Sequence, residues 1–210
     1  MLADIASRLR DGAARAGLVI PGPLADKLAV YYQVLDHWNE KINLTSLSDS
    51  EEAIDRLLLE PVAAAAHLPD RPLLMDLGSG GGSPALPLAL ALHVPRLVMV
   101  ESRQRKAAFL REAVRELGIN ATVETARFEQ LAVDPGFVSQ IEVISVRAVR
   151  LDSSGMEAIA TLLKPGGTVA LFRGPEGPDC QDSLSPNLCW SATHRLLKSP
   201  DRRLTCFARR

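Results

Sequence analysis

The 210-residue sequence predicts an α/β protein: a mostly parallel sheet with helices on both faces, preceded by a helical amino-terminal region. Two observations carry this. After Pro69, short apolar runs alternate with helical patterns, the mark of right-handed βαβ units. At 76–82 the stretch DLGSGGG follows the apolar run Leu73-Leu74-Met75, so a glycine-rich turn stands where a buried strand should end. Glycine admits positive φ and close approach of another group to the main chain, at an entropic cost. A ligand is the expected reason.

The elements follow in order. The first 20 residues form an amphipathic helix, which Pro21-Gly22-Pro23 break. Leu24, Leu28, Tyr31, Leu35 and Trp38 recur at steps of four and three, one face of a second helix, with Trp38 packing as part of that stripe. Residues 39–49 are polar and turn-like. Ser48 followed by Glu51 fits a capping box, so a helix should run from about Asp49 past Pro61 to His67. Strands are then expected at 73–77, 97–100, 122–125, 141–146 and 168–172. Helices fall at 84–92, 103–117 (ended by Gly118) and 152–163, with a turn at 164–167. Residues 174–187, rich in Gly, Pro, Asp and Ser, read as a loop. Pieces near 188–193 and 204–208 suit an antiparallel hairpin at the sheet edge. The expected division is a helical extension over 1–68 and one compact sheet domain over 69–210.

Composition narrows the class. With 47% hydrophobic and 23% charged residues, the chain can bury a substantial core. Its apolar stretches are far shorter than the ~20 residues a membrane span needs, and charges interrupt the amino terminus, so no membrane association and a cytoplasmic location are expected. Cys180, Cys189 and Cys206 show no CxxC spacing, and the four histidines are scattered; neither a metal site nor a disulfide framework is indicated. Net charge is −1, but bases cluster at 103–115 and again toward the carboxyl terminus, where a phosphate footprint and a solvated surface are equally good readings.

In an open α/β sheet the first βα turn touches the ligand. Gly78, Gly80 and Gly82 sit in that turn, and Glu101 ends the next strand, 19 positions beyond Gly82, where a carboxylate accepts from ribose hydroxyls. This combination binds an adenosine, and the glycine spacing alone does not separate NAD from S-adenosylmethionine. Asp76, close to where a ligand ammonium would lie, and the lack of a nearby base for a pyrophosphate favour S-adenosyl-L-methionine. No Gly-Lys-Ser/Thr follows, which excludes P-loop chemistry.

The blocks WNEKINLT (38–45), LLMDLGSGGGSPALPLAL (73–90), ESRQRKAAFLREAVRELGI (101–119), VRAV (146–149) and LLKPGGTVALFRG (162–174) resemble the bacterial glucose-inhibited division B family. The resemblance implies a seven-stranded, Rossmann-like class I methyltransferase sheet. It also implies methyl transfer from S-adenosylmethionine to a guanine N7 in small-subunit (16S) ribosomal RNA. The modest basic surface points to an assembled or partly assembled small ribosomal subunit rather than naked RNA as the partner, and a monomer is expected. Carried over by position, it adds Gly78 and Ser83 as cofactor-loop contacts, Phe128 and Glu129 as an adenine-side pair, Arg147 after the fourth strand, and Asn43 and Thr45 near the site. Asp76, Gly80 and Glu101 stand on the residues themselves as well. Arg56-Leu57-Leu58-Leu59-Glu60-Pro61 stands where the family usually has Arg-His-Leu-Leu-Asp-Ser. That departure keeps open a second reading, a methyltransferase-fold protein with another acceptor or a non-catalytic RNA-binding module.

The chemistry agrees with a ring-nitrogen acceptor. Methylation of pyrimidine C5 normally needs a cysteine nucleophile, and no cysteine precedes Cys180. Exocyclic amines typically call for an Asn/Asp-Pro-Pro-aromatic turn, where this chain has Ser145-Val146-Arg147-Ala148. Arg147 has two readings: pairing with Glu129 or Asp76, or orienting an RNA phosphate or guanine edge.

Overall fold

The structure is a computed structural model that describes residues 2–47, 50–173, 185–199 and 201–210. Ser48, Cys180 and most of the stretch expected as a loop after Gly174 lie outside these residues.

Helices α1 (Leu2–Ala16) and α2 (Gly22–Asn39) follow the two apolar stripes, and each buries its stripe: Ile5 and Leu9 from α1, Leu28, Tyr31 and Leu35 from α2. The third predicted helix is corrected in detail. Its cap is Ser50, whose Oγ accepts from Ala53 N at 3.2 Å. The helix runs as α3 (Glu51–Ile54), a wide π-turn (Asp55–Leu59) and α4 (Glu60–Ala65). The cause is Pro61. Proline lacks an N–H and its ring crowds the carbonyl four residues back, so the ladder opens at that point.

Next come β1 (Leu73–Leu77), α5 (Ala85–Ala91), β2 (Arg96–Val100), α6 (Gln104–Leu117), β3 (Ala121–Glu124), α7 (Phe128–Leu131), β4 (Ile141–Arg147), α8 (Ser153–Leu162), β5 (Leu163–Arg173), β6 (Leu188–Arg195) and β7 (Arg203–Arg209). Gly118 ends α6 in the left-handed conformation, as its position predicts. The short α7 has no periodic signal in four residues and was not expected. The turn expected at 164–167 is an interruption inside β5: pairing jumps from Ile141↔Leu163 to Val143↔Thr168.

The seven strands lie in the order β3-β2-β1-β4-β5-β7-β6. β3 through β5 are parallel, and β7 and β6 are antiparallel, so the expected edge hairpin is present. Because successive strand residues face opposite sides, the sheet has two cores. Leu74, Leu97, Met99, Val143 and Ala170 face α1 to α6, while Met75, Val98, Ile144 and Val169 face α7 and α8. Asp76 shares the first face, and so do Ser145 and Arg147 by their spacing from Val143. The polar side chains at the strand ends therefore point under the amino-terminal helices. Fully burying each of Leu28, Leu35, Leu58 and Leu59 contributes about 1.5–3 kcal/mol, so the helical extension and the sheet share a core. No helix among the described residues is long and apolar enough to cross a membrane.

Candidate cofactor and acceptor site

Strand order reverses between β1 and β4, and ligands of such sheets sit outside the strands' carboxyl ends at that reversal. The glycine turn lies there. Gly78 and Gly82 have φ of +70° and +84°. A Cβ on Gly78 would stand 2.6 Å from Val149 Cγ2, and one on Gly82 would stand 2.8 Å from Leu86 Cδ1. Both positions therefore need glycine for conformation and for room. The turn folds back on β2 through Gly78 N and Ser79 N, which donate to Val100 O at 2.9 and 3.1 Å. From α2, the Tyr31 hydroxyl donates to Gly81 O at 2.6 Å.

Glu101 is buried and braces the turn. Its Oε2 accepts from Gly80 N at 2.9 Å and its Oε1 from Arg103 N at 2.8 Å. Each carboxylate oxygen keeps a second lone pair, as a ribose diol requires. Asp76, 1% exposed, takes a 2.6 Å hydrogen bond from Ser145 Oγ. Burial pushes its carboxyl up to about 6, against the opposing pull of Ser145 and of Arg147's charge.

Arg147 pairs with neither Glu129 nor Asp76. Its Nη2 meets Glu60 Oε1 at 3.1 Å, and its Nη1 donates to Arg56 O at 2.7 Å and to Ser83 Oγ at 3.2 Å. Register places Arg147 opposite Phe172, and the guanidinium lies 4.8 Å from that ring's centre. Burial lowers the Arg147 pKa and raises that of Glu60, each partly offset by the other's charge. Ser83 Oγ in turn donates to Leu57 O at 2.7 Å. Glu129 instead lies 3.6 Å from Arg127 on the surface. Ala148, directly after Arg147, holds φ +56°, an unusual conformation for a residue with a Cβ.

These groups line two clefts. One, about 430 Å³, is bounded by Thr45, Leu57, Gly78, Gly80, Ser83 and Glu101, with Arg103 and Lys106 at its side. The other, about 400 Å³, lies among Glu52, Glu60, Phe172, Arg173 and Arg202. Arg56, Arg147 and Ala148 line both. Of the expected residues, Gly78, Gly80, Ser83, Glu101, Thr45 and Arg147 thus converge, with Asp76 buried beneath the turn. Asn43 is exposed and outside the lining, while Asn39 does the anchoring: its Oδ1 accepts from Leu44 N and Thr45 N at 2.8 and 2.9 Å. Phe128 and Glu129 stand on α7, also outside the lining. Tyr31, Asn39, Glu60 and Ser145 were missed, because only tertiary contact gives them a role. Trp38 packs edge-on to Phe109, 6.0 Å between ring centres.

The terminal bases are mostly engaged. Arg202 meets Asp55 at 3.3 Å, Arg210 donates to Pro186 O at 3.1 Å, and Arg209 bonds Ser139 Oγ and Leu163 O. They hold the hairpin to the body; beside Arg147, the basic groups lining the first cleft are Arg56, Arg103 and Lys106, and Arg173 and Arg202 line the second.

Solved structures share this architecture. An S-adenosylmethionine-dependent methyltransferase from Aquifex aeolicus superposes with a TM-score of 0.56 at 13% identity, covering 76% of this chain and 93% of that one. M. jannaschii TYW2 in complex with AdoMet gives 0.54 at 14%, covering 78% and 77%. The fold is that of a class I methyltransferase. A family model described as rRNA small subunit methyltransferase G matches residues 24–185, and the chain belongs to that family. Among relatives named "Ribosomal RNA small subunit methyltransferase G", that of Neisseria meningitidis serogroup B (strain MC58) is 32% identical over 190 residues, 90% of this chain and 89% of its own. That of Stenotrophomonas maltophilia (strain R551-3) is 37% identical over 173 residues, 82% and 78%. The resemblance read from the sequence blocks, with its seven-stranded sheet and its cofactor, is borne out.

Proposed function

We propose that the protein methylates N7 of a guanine in 16S ribosomal RNA within the small subunit. The observation that carries the reading is the pair of adjoining clefts at the β1/β4 reversal, one built around Glu101 and the glycine turn, the other around Arg147. S-adenosylmethionine supplies an electrophilic sulfonium methyl, which the N7 lone pair takes without losing a proton. No general base is then needed, and among the described residues lining the clefts there is neither histidine nor cysteine. The chain's task is alignment.

In this reading Glu101 accepts from the ribose hydroxyls, and buried Asp76 offers its charge to the ammonium. Gly78, Gly80 and Ser83 bound the cofactor. Phe128 and Glu129 serve the adenine side, since β3 pairs with the β2 end that carries Glu101. Asn43 and Thr45 flank the acceptor, and Arg147 is a positioning residue. Residues 1–68 act as an extension roofing a methyltransferase unit over 69–210. Arg56, Arg103 and Lys106 contact phosphate, which gives affinity but not sequence choice. A few such contacts hold naked RNA weakly, so the assembled or partly assembled subunit is the substrate, met in the cytoplasm by a monomer.

The test is transfer of labelled methyl to small subunits from cells lacking the gene, with nucleoside mass spectrometry. 7-Methylguanosine on subunits, with little on naked RNA, is expected. Transfer to another atom, or no transfer despite cofactor binding, would overturn the acceptor assignment.

A further inference from the structure

We propose that Pro61 is a positioning residue for the cofactor turn: by opening the helix into a π-turn it frees the carbonyls of Arg56 and Leu57 to fix Arg147 and Ser83. Pro61 stands four residues after Leu57 and five after Arg56, the positions whose N–H would close an α or a π hydrogen bond to those carbonyls. It has no N–H to give. The preceding residue is already committed, since Glu60 N donates to Asp55 O. Carbonyls left without an intrahelical donor take partners from elsewhere, and here, on exposed Arg56 and half-buried Leu57, both partners come from the site. Arg147 Nη1 reaches Arg56 O at 2.7 Å, and Ser83 Oγ reaches Leu57 O at 2.7 Å.

The consequence reaches the cofactor cleft. Ser83 closes the glycine turn and lines that cleft, and its hydroxyl is fixed twice, donating to Leu57 O and accepting from Arg147 at 3.2 Å. Arg147 cannot swing away to release it, because Glu60 and Phe172 hold the guanidinium from two other sides. Turn, helix and β4 end are therefore ordered before any ligand arrives, which lowers the ordering cost of binding. An uninterrupted α-helix would spend at least one of those carbonyls internally and leave the Ser83 hydroxyl free to rotate.

This rests on the S-adenosylmethionine reading, and the experiment separates the two. Pro61→Ala restores the N–H with a strong helix former, so its thermal midpoint should equal or exceed that of the parent. Its calorimetric Kd for S-adenosylhomocysteine should nevertheless rise about fivefold, the scale of one lost hydrogen bond. Ser83→Ala should show a similar loss, and adding Pro61→Ala to it should cost nothing further, the non-additivity of a shared contact. A Pro61→Ala affinity within twofold of the parent overturns the proposal. So do losses that multiply in the double variant, which also decides the matter should Pro61→Ala prove less stable. Absence of S-adenosylhomocysteine binding by the parent chain would instead bring down the cofactor reading, and this inference with it.

Discussion

Two buried charges sit at neighbouring strand ends, and the protein treats them in opposite ways. Arg147 is surrounded by protein partners: a carboxylate, a carbonyl, a hydroxyl and an aromatic face. Asp76 is held by the Ser145 and Ser79 hydroxyls with no direct ion pair among the described residues, and burial pushes its carboxyl up to about 6. A fully partnered charge serves architecture. A buried charge without a direct counter-ion suits a cationic ligand, and in the proposed function that ligand is the ammonium of the cofactor.

The comparison breaks most visibly at Glu60. Glu60→Ala leaves a buried guanidinium without its carboxylate, a loss of about 3–5 kcal/mol. A melting midpoint lowered by roughly 6–20 °C is expected by calorimetry. Glu60→Gln, which keeps an acceptor, should lose clearly less. Equal losses would mean that shape rather than charge matters there.

At Asp76 the expected effects on stability and binding have opposite signs. The folded-state value of about 6 lies above the ordinary 3.8. The contribution of the protonated form is thus fully present below about 4 and is lost as pH rises through 6. Above pH 6 the wild type carries the whole cost of a buried carboxylate, so Asp76→Asn should melt at the same or a higher temperature at pH 8. Its affinity for S-adenosylmethionine should fall tenfold or more, and the rise in affinity expected of the wild type from pH 5 to 7 should be absent from the variant. A variant that loses stability and keeps affinity would reverse the assignment of roles.

Glu101 lies between the two cases, braced by backbone yet with acceptors to spare. Glu101→Ala should weaken S-adenosylhomocysteine binding about tenfold, since two N–H groups and the ribose lose their acceptor. Unchanged affinity would refute the ribose role. The smallest effect is expected at the rim. Lys106→Gln should lower the salt dependence of RNA binding by about one phosphate contact and leave cofactor affinity within twofold.

The glycine turn was legible in the sequence because its parts are close in the chain or follow strand grammar: Asp76 lies near the end of one strand, Glu101 directly after the next, and glycines mark the bend. The surroundings of Arg147 were not. Its partners Glu60 and Arg56 lie 87 and 91 residues away, on a helix whose path depends on one proline. Ser145 and Tyr31 read as ordinary strand and helix residues until the fold brings them to Asp76 and Gly81. Asn39 likewise takes on its part only when the chain after α2 turns back onto its side chain.

What the sequence determined by itself was the alternation of strands and helices, the edge hairpin, the glycine turn and the family, because periodicity, glycine placement and motif order act over short spans. What only the tertiary structure decided was which buried charge has a direct counter-ion and which has none among the described residues. That choice depends on register between β1, β4 and β5 and on the helix packed over their ends. Electrostatic compensation in a low-dielectric interior is set by ångströms in space, not by distance along the chain.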